Sequence, residues 1–284
     1  MRKLFGMAAG ALGGAFLLLC VCVGSLGDGL LHVYYLDIGQ GDSILVRTPL
    51  SHYVLIDGGP DDKVLQEMAA VMPFYERTID LVILSHPHAD HVDGLIPVLE
   101  RYNVKAVMLT GISYNYAGYE RFLYLIKERG VSVLFVNGKV DYRLGNIVLD
   151  IVFPLESLQG AHFENVNNSS ISFRLMFGGS IFYFSGDLEV EGEAKILAAG
   201  VDLRADVLKA GHHGSRTSNS KALLDLMKPQ WAVISCGVDN KFKHPHPETI
   251  EHFQERGIEF YRTDLDGRVE FETDGMDLAK VIHF

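Results

Sequence analysis

Ser85-His86-Pro87-His88-Ala89-Asp90-His91 sets three imidazoles and a carboxylate within six residues, directly behind the apolar run Asp80-Leu81-Val82-Ile83-Leu84. A β-branched, leucine-rich run of this length reads as a buried strand, so the donors fall where a strand ends and a loop begins. Neutral imidazole and carboxylate are the ligands that borderline divalent ions such as zinc take. His86 and His88, two residues apart, can reach one ion together. Asp90 and His91, adjacent, can turn to a second ion, which in two-metal sites lies about 3.5–4 Å away.

Working outward, the pattern of an apolar run closed by polar ligands recurs. Ile181-Phe182-Tyr183-Phe184 runs into Ser185-Gly186-Asp187, and Val207-Leu208-Lys209-Ala210 into Gly211-His212-His213-Gly214-Ser215. Asn168, Ser169 and Ser170 precede a hairpin about Gly178-Gly179. Strands are expected over 31–36, 43–48, 53–56, 80–84, 104–109, 131–136 and 147–153 in the first half. In the second half they are expected over 170–177, 180–184, 206–210, 231–235, 258–261 and 268–272. Helices are expected over 62–72, from Asp93-Gly94 to about Tyr102, over 119–129 closed by Gly130, and near 190–199, 219–227 and 248–256. Strands with interposed helices in two similar halves predict an α+β fold, two mixed sheets packed together and covered by helices. No low-complexity linker divides the body, so residues 30–284 read as one domain.

The chain has 284 residues, 48% of them hydrophobic, enough for a sizeable core, and a formal charge of −11. That acidity argues against a passive nucleic-acid binder, which presents a basic face, but not against an enzyme that meets phosphate through metal ions. Residues 1–29 differ in kind. Arg2 and Lys3 precede a charge-free stretch, Leu4–Leu26, that fits either a cleaved signal peptide or an uncleaved membrane anchor, since a span needs about 20 apolar residues. Either reading places the body outside the cytoplasm. Cys20 and Cys22 lie inside that stretch, leaving Cys236 as the body's only cysteine. A disulfide within the body and a cysteine-based zinc site are therefore excluded.

These motifs together resemble the metallo-β-lactamase fold superfamily. More narrowly, Leu36-Asp37-Ile38-Gly39-Gln40-Gly41-Asp42-Ser43, Ile56-Asp57-Gly58-Gly59, Asn168-Ser169-Ser170, Ser185-Gly186-Asp187 and Lys209 to Ser215 are similar to the hydrolase domain of the ComEC/Rec2 DNA-uptake proteins, as is Asn240 followed by His244-Pro245-His246-Pro247. The resemblance implies a four-layer αββα sandwich with metals at the sheet edges. His86 and His88 would hold the first ion, Asp90 and His91 the second, Asp187 would bridge, and one of His212 and His213 would complete a site. Where the superfamily often has another histidine this chain has Asn168, and His162 is the candidate substitute.

The expected cofactors are two divalent ions, Zn2+ or alternatively Mn2+, lowering the pKa of a bound water toward 7. Asp90 is expected to orient that water as well as ligate, and His213 or His246 to protonate a leaving oxygen or touch phosphate. Asp37 and Asp57 read as caps of backbone amides. Lys209, Ser215, Arg216, Thr217 and Ser218 flank the double histidine and are expected to hold phosphate oxygens. The expected activity is therefore that of a phosphodiesterase or nuclease on DNA, single-stranded DNA included, or another phosphodiester. The alternatives are a hydrolase of a carbon ester, lactone, thioester or β-lactam, and a noncatalytic binding subunit. Residues 4–26 would meet a membrane if uncleaved, and no stable protein partner is implied.

Overall fold

Alternate residues of strand β1 (Leu31–Tyr35) face different cores. Leu31, Val33 and Tyr35 point between two sheets, and Tyr34 points outward under helices. The same alternation splits β3 (Tyr53–Ile56) and β5 (Leu81–Ile83), each of them apolar on both faces. A strand buried on both sides has to be covered on both sides, and this requirement generates the layers. The computed structural model describes residues 27–138 and 140–282; residues 1–26, most of the segment read as signal or anchor, lie outside them. No helix among the described residues is long and apolar enough to cross a membrane.

The first sheet has eight strands. Its antiparallel part joins β17 (Leu278–Val281), β16 (Val269–Thr273), β1, β2 (Ile44–Arg47) and β3; its parallel part continues through β5, β7 (Ala106–Leu109) and β8 (Ser132–Phe135). The second sheet has seven. Here β15 (Glu259–Arg262), β14 (Trp231–Ile234), β13 (Val207–Lys209) and β12 (Ser180–Phe184) run parallel, followed by antiparallel β11 (Ser172–Phe177), β10 (Ile147–Phe153) and β9 (Asp141–Leu144). Helices α1 (Lys63–Val71), α3 (Leu95–Arg101) and α4 (Ala117–Arg129) cover the first sheet, and α5 (Val190–Ala199), α6 (Lys221–Met227) and α7 (Pro247–Glu255) the second. The αββα sandwich expected from the sequence is the observed architecture.

The carboxyl ends of parallel β3, β5, β12, β13 and β14 share one edge of the sandwich, and the chain delivers Asp57, His86, Asp187, His213 and Cys236 there. Two local features depart from the sequence reading. Ala89–Val92 winds into a one-turn helix, α2, so Asp90 and His91 stand on a helical turn instead of a loop. Strands β9 and β17 and the short pair β4 (Thr78–Ile79) with β6 (Asn103–Val104) were not foreseen, because none is longer than four residues and β9 and β17 lie at sheet edges. Two glycines bind this edge together. A Cβ on Gly41, which has φ 138°, would fall 2.3 Å from the Asp90 carbonyl oxygen, and one on Gly94 only 1.9 Å from that of Gly58. Backbone can approach α2 this closely only without a side chain.

Candidate metal centre

From the first sheet, β5 ends at Ile83 and the chain passes Leu84 to turn through Ser85, whose N–H donates to Asp57 Oδ1 (2.7 Å) and whose hydroxyl donates to Asp57 Oδ2 (2.6 Å). This fixes the start of the histidine run. His86 Nε2 lies 3.0 Å from His88 Nδ1 and 4.0 Å from Asp187 Oδ2. Turn α2 then lifts His91 so that Nε2 comes within 3.4 Å of Asp187 Oδ2, while Nδ1 hydrogen-bonds Asp57 Oδ2 at 2.9 Å.

From the second sheet come Asp187, after β12, and the double histidine, after β13. His212 and His213 both take left-handed backbone, φ 49° and 53°. Side-chain-bearing residues hold that conformation only where surroundings over-determine it. Here Asn219 Oδ1 accepts from Gly211 N–H (2.7 Å), and His213 Nδ1 donates to the Ser235 carbonyl (3.0 Å). Asn219 and Ser220 in turn donate their N–H groups to the buried Glu193 carboxylate, at 2.6 and 3.0 Å. The result aims His213 Nε2 at Asp90 Oδ2 and Asp187 Oδ2, 3.3 Å from each. His212 lies farther, 3.8 Å from Asp187 Oδ2, with Nδ1 held near Glu189 Oε1 (3.2 Å) and Thr217 Oγ1 (3.3 Å).

Four donor sets thus converge: His86, His91 and Asp187; Asp90, His91 and His213; Asp42, Asp57 and His91; and Asp42, Asp187 and His213. His91 Nε2, His213 Nε2 and Asp187 Oδ1 are buried and have no hydrogen-bond partner. Buried polar atoms left unpaired are costly, and three aimed at one another's neighbourhood fit a divalent cation. The electrostatics agree. Burial alone would raise the Asp187 carboxyl, yet the imidazoles of His213, His91 and His212 hold it well below the usual range. Burial alone would lower His91 and His213, yet Asp187 with Asp57, and Asp187 with Asp42, push them well above theirs. His86 is depressed by burial and by its neighbour His91. A further donor set, His32, Glu270 and Glu272, sits apart on the β1–β16 ladder. There Asp28 (3.0 Å) and Glu270 (2.9 Å) already engage both His32 nitrogens.

Of the donors, Asp90, Asp187 and His213 line a cleft of about 240 Å³, whose other walls are Gln40, His88, Asn167, His212, Phe242 and His244. Several expected residues are elsewhere. His246 is not on this wall: its Nδ1 accepts from Arg216 N–H (3.1 Å), and it is His244, 4.8 Å away ring to ring, that faces the cleft. Asn168 is occupied at the start of α5, its Oδ1 accepting from Glu189 N–H and its Nδ2 donating to Glu191; the asparagine that lines the cleft is Asn167. His162 is exposed and belongs to none of the donor sets. The phosphate-holding group also disperses. Lys209 is buried against Asp42 at 2.6 Å, Ser218 donates to the Leu188 carbonyl, and Arg216 lies on the exterior 3.9 Å from Glu248. Asp57 caps Ser85 as expected, and it also orients His91. Asp42, not singled out by sequence, pairs with Lys209 and lies 3.1 Å from His213 Nδ1. Its signal was position alone, a carboxylate after glycine at a strand end facing the other ligands.

The model of the metallo-beta-lactamase superfamily matches residues 36–238. ComE operon protein 3 of Bacillus subtilis is 29% identical over 269 residues, covering 88% of this chain and 33% of that protein. Competence protein ComA of Neisseria gonorrhoeae is 32% identical over 242 residues, covering 83% and 31%. The chain spans about a third of the length of these curated relatives. Among solved structures, the metallo-beta-lactamase fold protein YhfI of Bacillus subtilis has the same fold, with a TM-score of 0.54 at 13% identity, covering 82% of this chain and 95% of that one. The fold, the converging imidazoles and carboxylates, and these likenesses lead to one conclusion: the chain belongs to the metallo-beta-lactamase superfamily, in its ComEC-like branch, and is a metal-dependent hydrolase.

Proposed function

We propose that the chain is a phosphodiesterase of nucleic acid that works with two divalent ions, zinc or manganese, on the outer side of the cytoplasmic membrane, with residues 1–29 as its signal or anchor. The observation that carries the two-ion reading is the pair of donor sets that meet at His91, one with His86 and Asp187 and the other with Asp90 and His213, around the unpaired His91 Nε2, His213 Nε2 and Asp187 Oδ1. His86 and His88 would hold one ion, Asp90, His91 and His213 the other, with Asp187 between them. Ions so held supply Lewis-acid polarisation and lower the pKa of water. The chain's own residues do the rest. Asp57 fixes the His91 ring and the Ser235 carbonyl fixes that of His213, so neither ring must reorganise as charge develops. Asp90 orients the attacking water. His212, with Nδ1 against Glu189 and its other nitrogen toward the cleft, is the residue to which we assign the proton for the leaving oxygen, a role that His246 cannot reach from outside the wall.

The substrate class rests on the resemblance to DNA-uptake proteins. Its test is the full chain loaded with zinc or manganese and assayed in parallel on bis-p-nitrophenyl phosphate, single-stranded DNA and nitrocefin. Phosphodiester turnover is expected to exceed β-lactam turnover at least tenfold, about 1.4 kcal/mol of differential transition-state stabilisation. Faster turnover of nitrocefin reverses the substrate assignment. Orientation is tested by protease added to intact spheroplasts, which is expected to digest the body.

A further inference from the structure

Phe242 stands in the wall of the metal cleft with 48% of its surface exposed, on the loop after β14. That exposure is built into the loop. Asn240 Nδ2 donates to the carbonyls of Gly237 (2.9 Å) and His244 (2.7 Å), and its Oδ1 accepts from His244 N–H (2.9 Å). Asp239 and Lys243 take left-handed backbone, φ 50° and 61°, which residues with a Cβ adopt at a steric cost. A loop so braced holds an apolar ring in water at a fixed place. The ring stacks on His244 at 5.7 Å between centroids and 21° between planes, and His244 lies 5.3 Å from His212. Phe242 is thus the outer end of a row of rings that begins at the metal donors. Both its neighbours in the chain are exposed lysines, and Lys241 Nζ hovers 4.9 Å from its centroid.

We propose that Phe242 is a base-stacking platform, and that the substrate is single-stranded nucleic acid whose nucleotide beside the scissile phosphate lays its base on this ring while Lys241 and Lys243 meet the adjoining phosphates. The inference rests on the phosphodiesterase reading and narrows it. Every base offers a π-face, so stacking on one ring is tolerant of sequence, and only an unpaired strand has a base free to use it. A phosphate that draws Lys241 off the ring uncovers the face on which the base then lies. In a chain of net charge −11 these two ammonium groups at the mouth also favour approach of a polyanion at this point. An apolar ester would use the ring but not the flanking cations.

The test is steady-state kinetics of the full, metal-loaded chain on an oligothymidylate and on the same backbone with every base replaced by an abasic tetrahydrofuran unit. Phe242→Ala is expected to raise KM for the oligothymidylate about tenfold more than for the abasic strand, within the range that one stacked base contributes, with metal content and melting temperature confirming the fold. Phe242→Trp is expected to restore the difference, and Lys241→Gln with Lys243→Gln to flatten the salt dependence of binding. Equal losses on the two strands, or restoration by Phe242→Leu as complete as by tryptophan, overturn the platform. If the unaltered chain cleaves neither strand, the phosphodiesterase reading falls. The platform is then judged by fluorescence-polarisation binding, where lack of preference for the base-bearing strand overturns it as well.

Discussion

The two sides of the metal centre use the same residue types and support them differently. On the side of His91 and His213 every ring is buried and each has a carboxylate behind it: Asp57 takes the hydrogen bond of His91 at 2.9 Å, and His213 donates to the Ser235 carbonyl (3.0 Å) with Asp42 only 3.1 Å away and neutralised by Lys209. On the side of His86 and His88 the support is a serine hydroxyl, 3.1 Å from His86 Nδ1, and His88 is only half-buried. Carboxylate-backed imidazoles are better ligands, because the second hydrogen bond fixes tautomer and orientation and raises basicity. The comparison therefore teaches that the His91–His213 side is preorganised and the His86–His88 side is loose. On the two-ion reading proposed above, it predicts two unequal binding events.

The largest effect should come from removing a donor on the firm side. His213→Ala is expected to lower kcat/KM about a thousandfold, roughly 4 kcal/mol, because an ion contributes several kcal/mol of charge stabilisation. His88→Ala should lose less, and excess metal should recover part of it. Elemental analysis and kcat/KM across a metal titration read both. Were His88→Ala to keep less metal than His213→Ala, the order of the two pockets would be reversed.

The buried Asp42–Lys209 pair gives the next effect, on stability. Both side chains are about 1% exposed, so Lys209→Met leaves a carboxylate buried without its cation, a loss of about 3 kcal/mol or more. Urea unfolding of the metal-free chain should show it. Adding Asp42→Asn should return most of the loss, since removing both charges avoids the uncompensated one. A cost below about 1 kcal/mol for the single change, within the usual range of a surface ion pair, would mean that Asp42 is already satisfied by other donors. Smaller again is Asp57→Asn, which keeps the shape and weakens the bond to His91. Metal affinity at the firm pocket should fall about 10–100-fold in calorimetric titration, with the loose pocket unchanged.

The sequence made the converging imidazoles and carboxylates legible and the difference in their support illegible, for a physical reason. A ligand is a residue type at the end of an apolar run, and both are printed in the chain at His86–His91 and at Asp187. Support is adjacency. Asp57 backs His91 only because β3 and β5 run parallel with Ile56 opposite Ile83, and this places Asp57 beside Ser85. Likewise the choice between His212 and His213 lay in two left-handed residues that no side-chain pattern announces. Lys209 reads as a phosphate donor because its burial depends on the face of β13 it occupies and on the Asp42 carboxylate it meets there, and Ser218 because the Leu188 carbonyl that takes its hydroxyl lies thirty residues away in the chain. The αββα layers, by contrast, follow from period-two apolar strands and interposed helices, and those are local.

Asn167 offers the finest probe of the comparison. It lines the cleft beside His88 and Asp187, on the 3-10 turn Val166–Ser169, and its Oδ1 is buried without a hydrogen-bond partner while Nδ2 donates to Glu189 Oε1 at 3.0 Å. The superfamily often places a histidine in this region, and an amide oxygen is a weaker donor to a borderline ion than an imidazole nitrogen. Asn167→His adds that nitrogen to the loose side while Asp57 and Asp42 continue to back the firm one. Metal affinity at the weaker event is expected to rise about tenfold, roughly 1.4 kcal/mol, with the tighter event unmoved, so the two steps of a titration draw together. The new ring forfeits the bond to Glu189, and a small fall in melting temperature should accompany the gain. If instead the tighter event strengthens, Asn167 belongs to the His91–His213 side, and the division of the centre drawn from its carboxylates is in the wrong place.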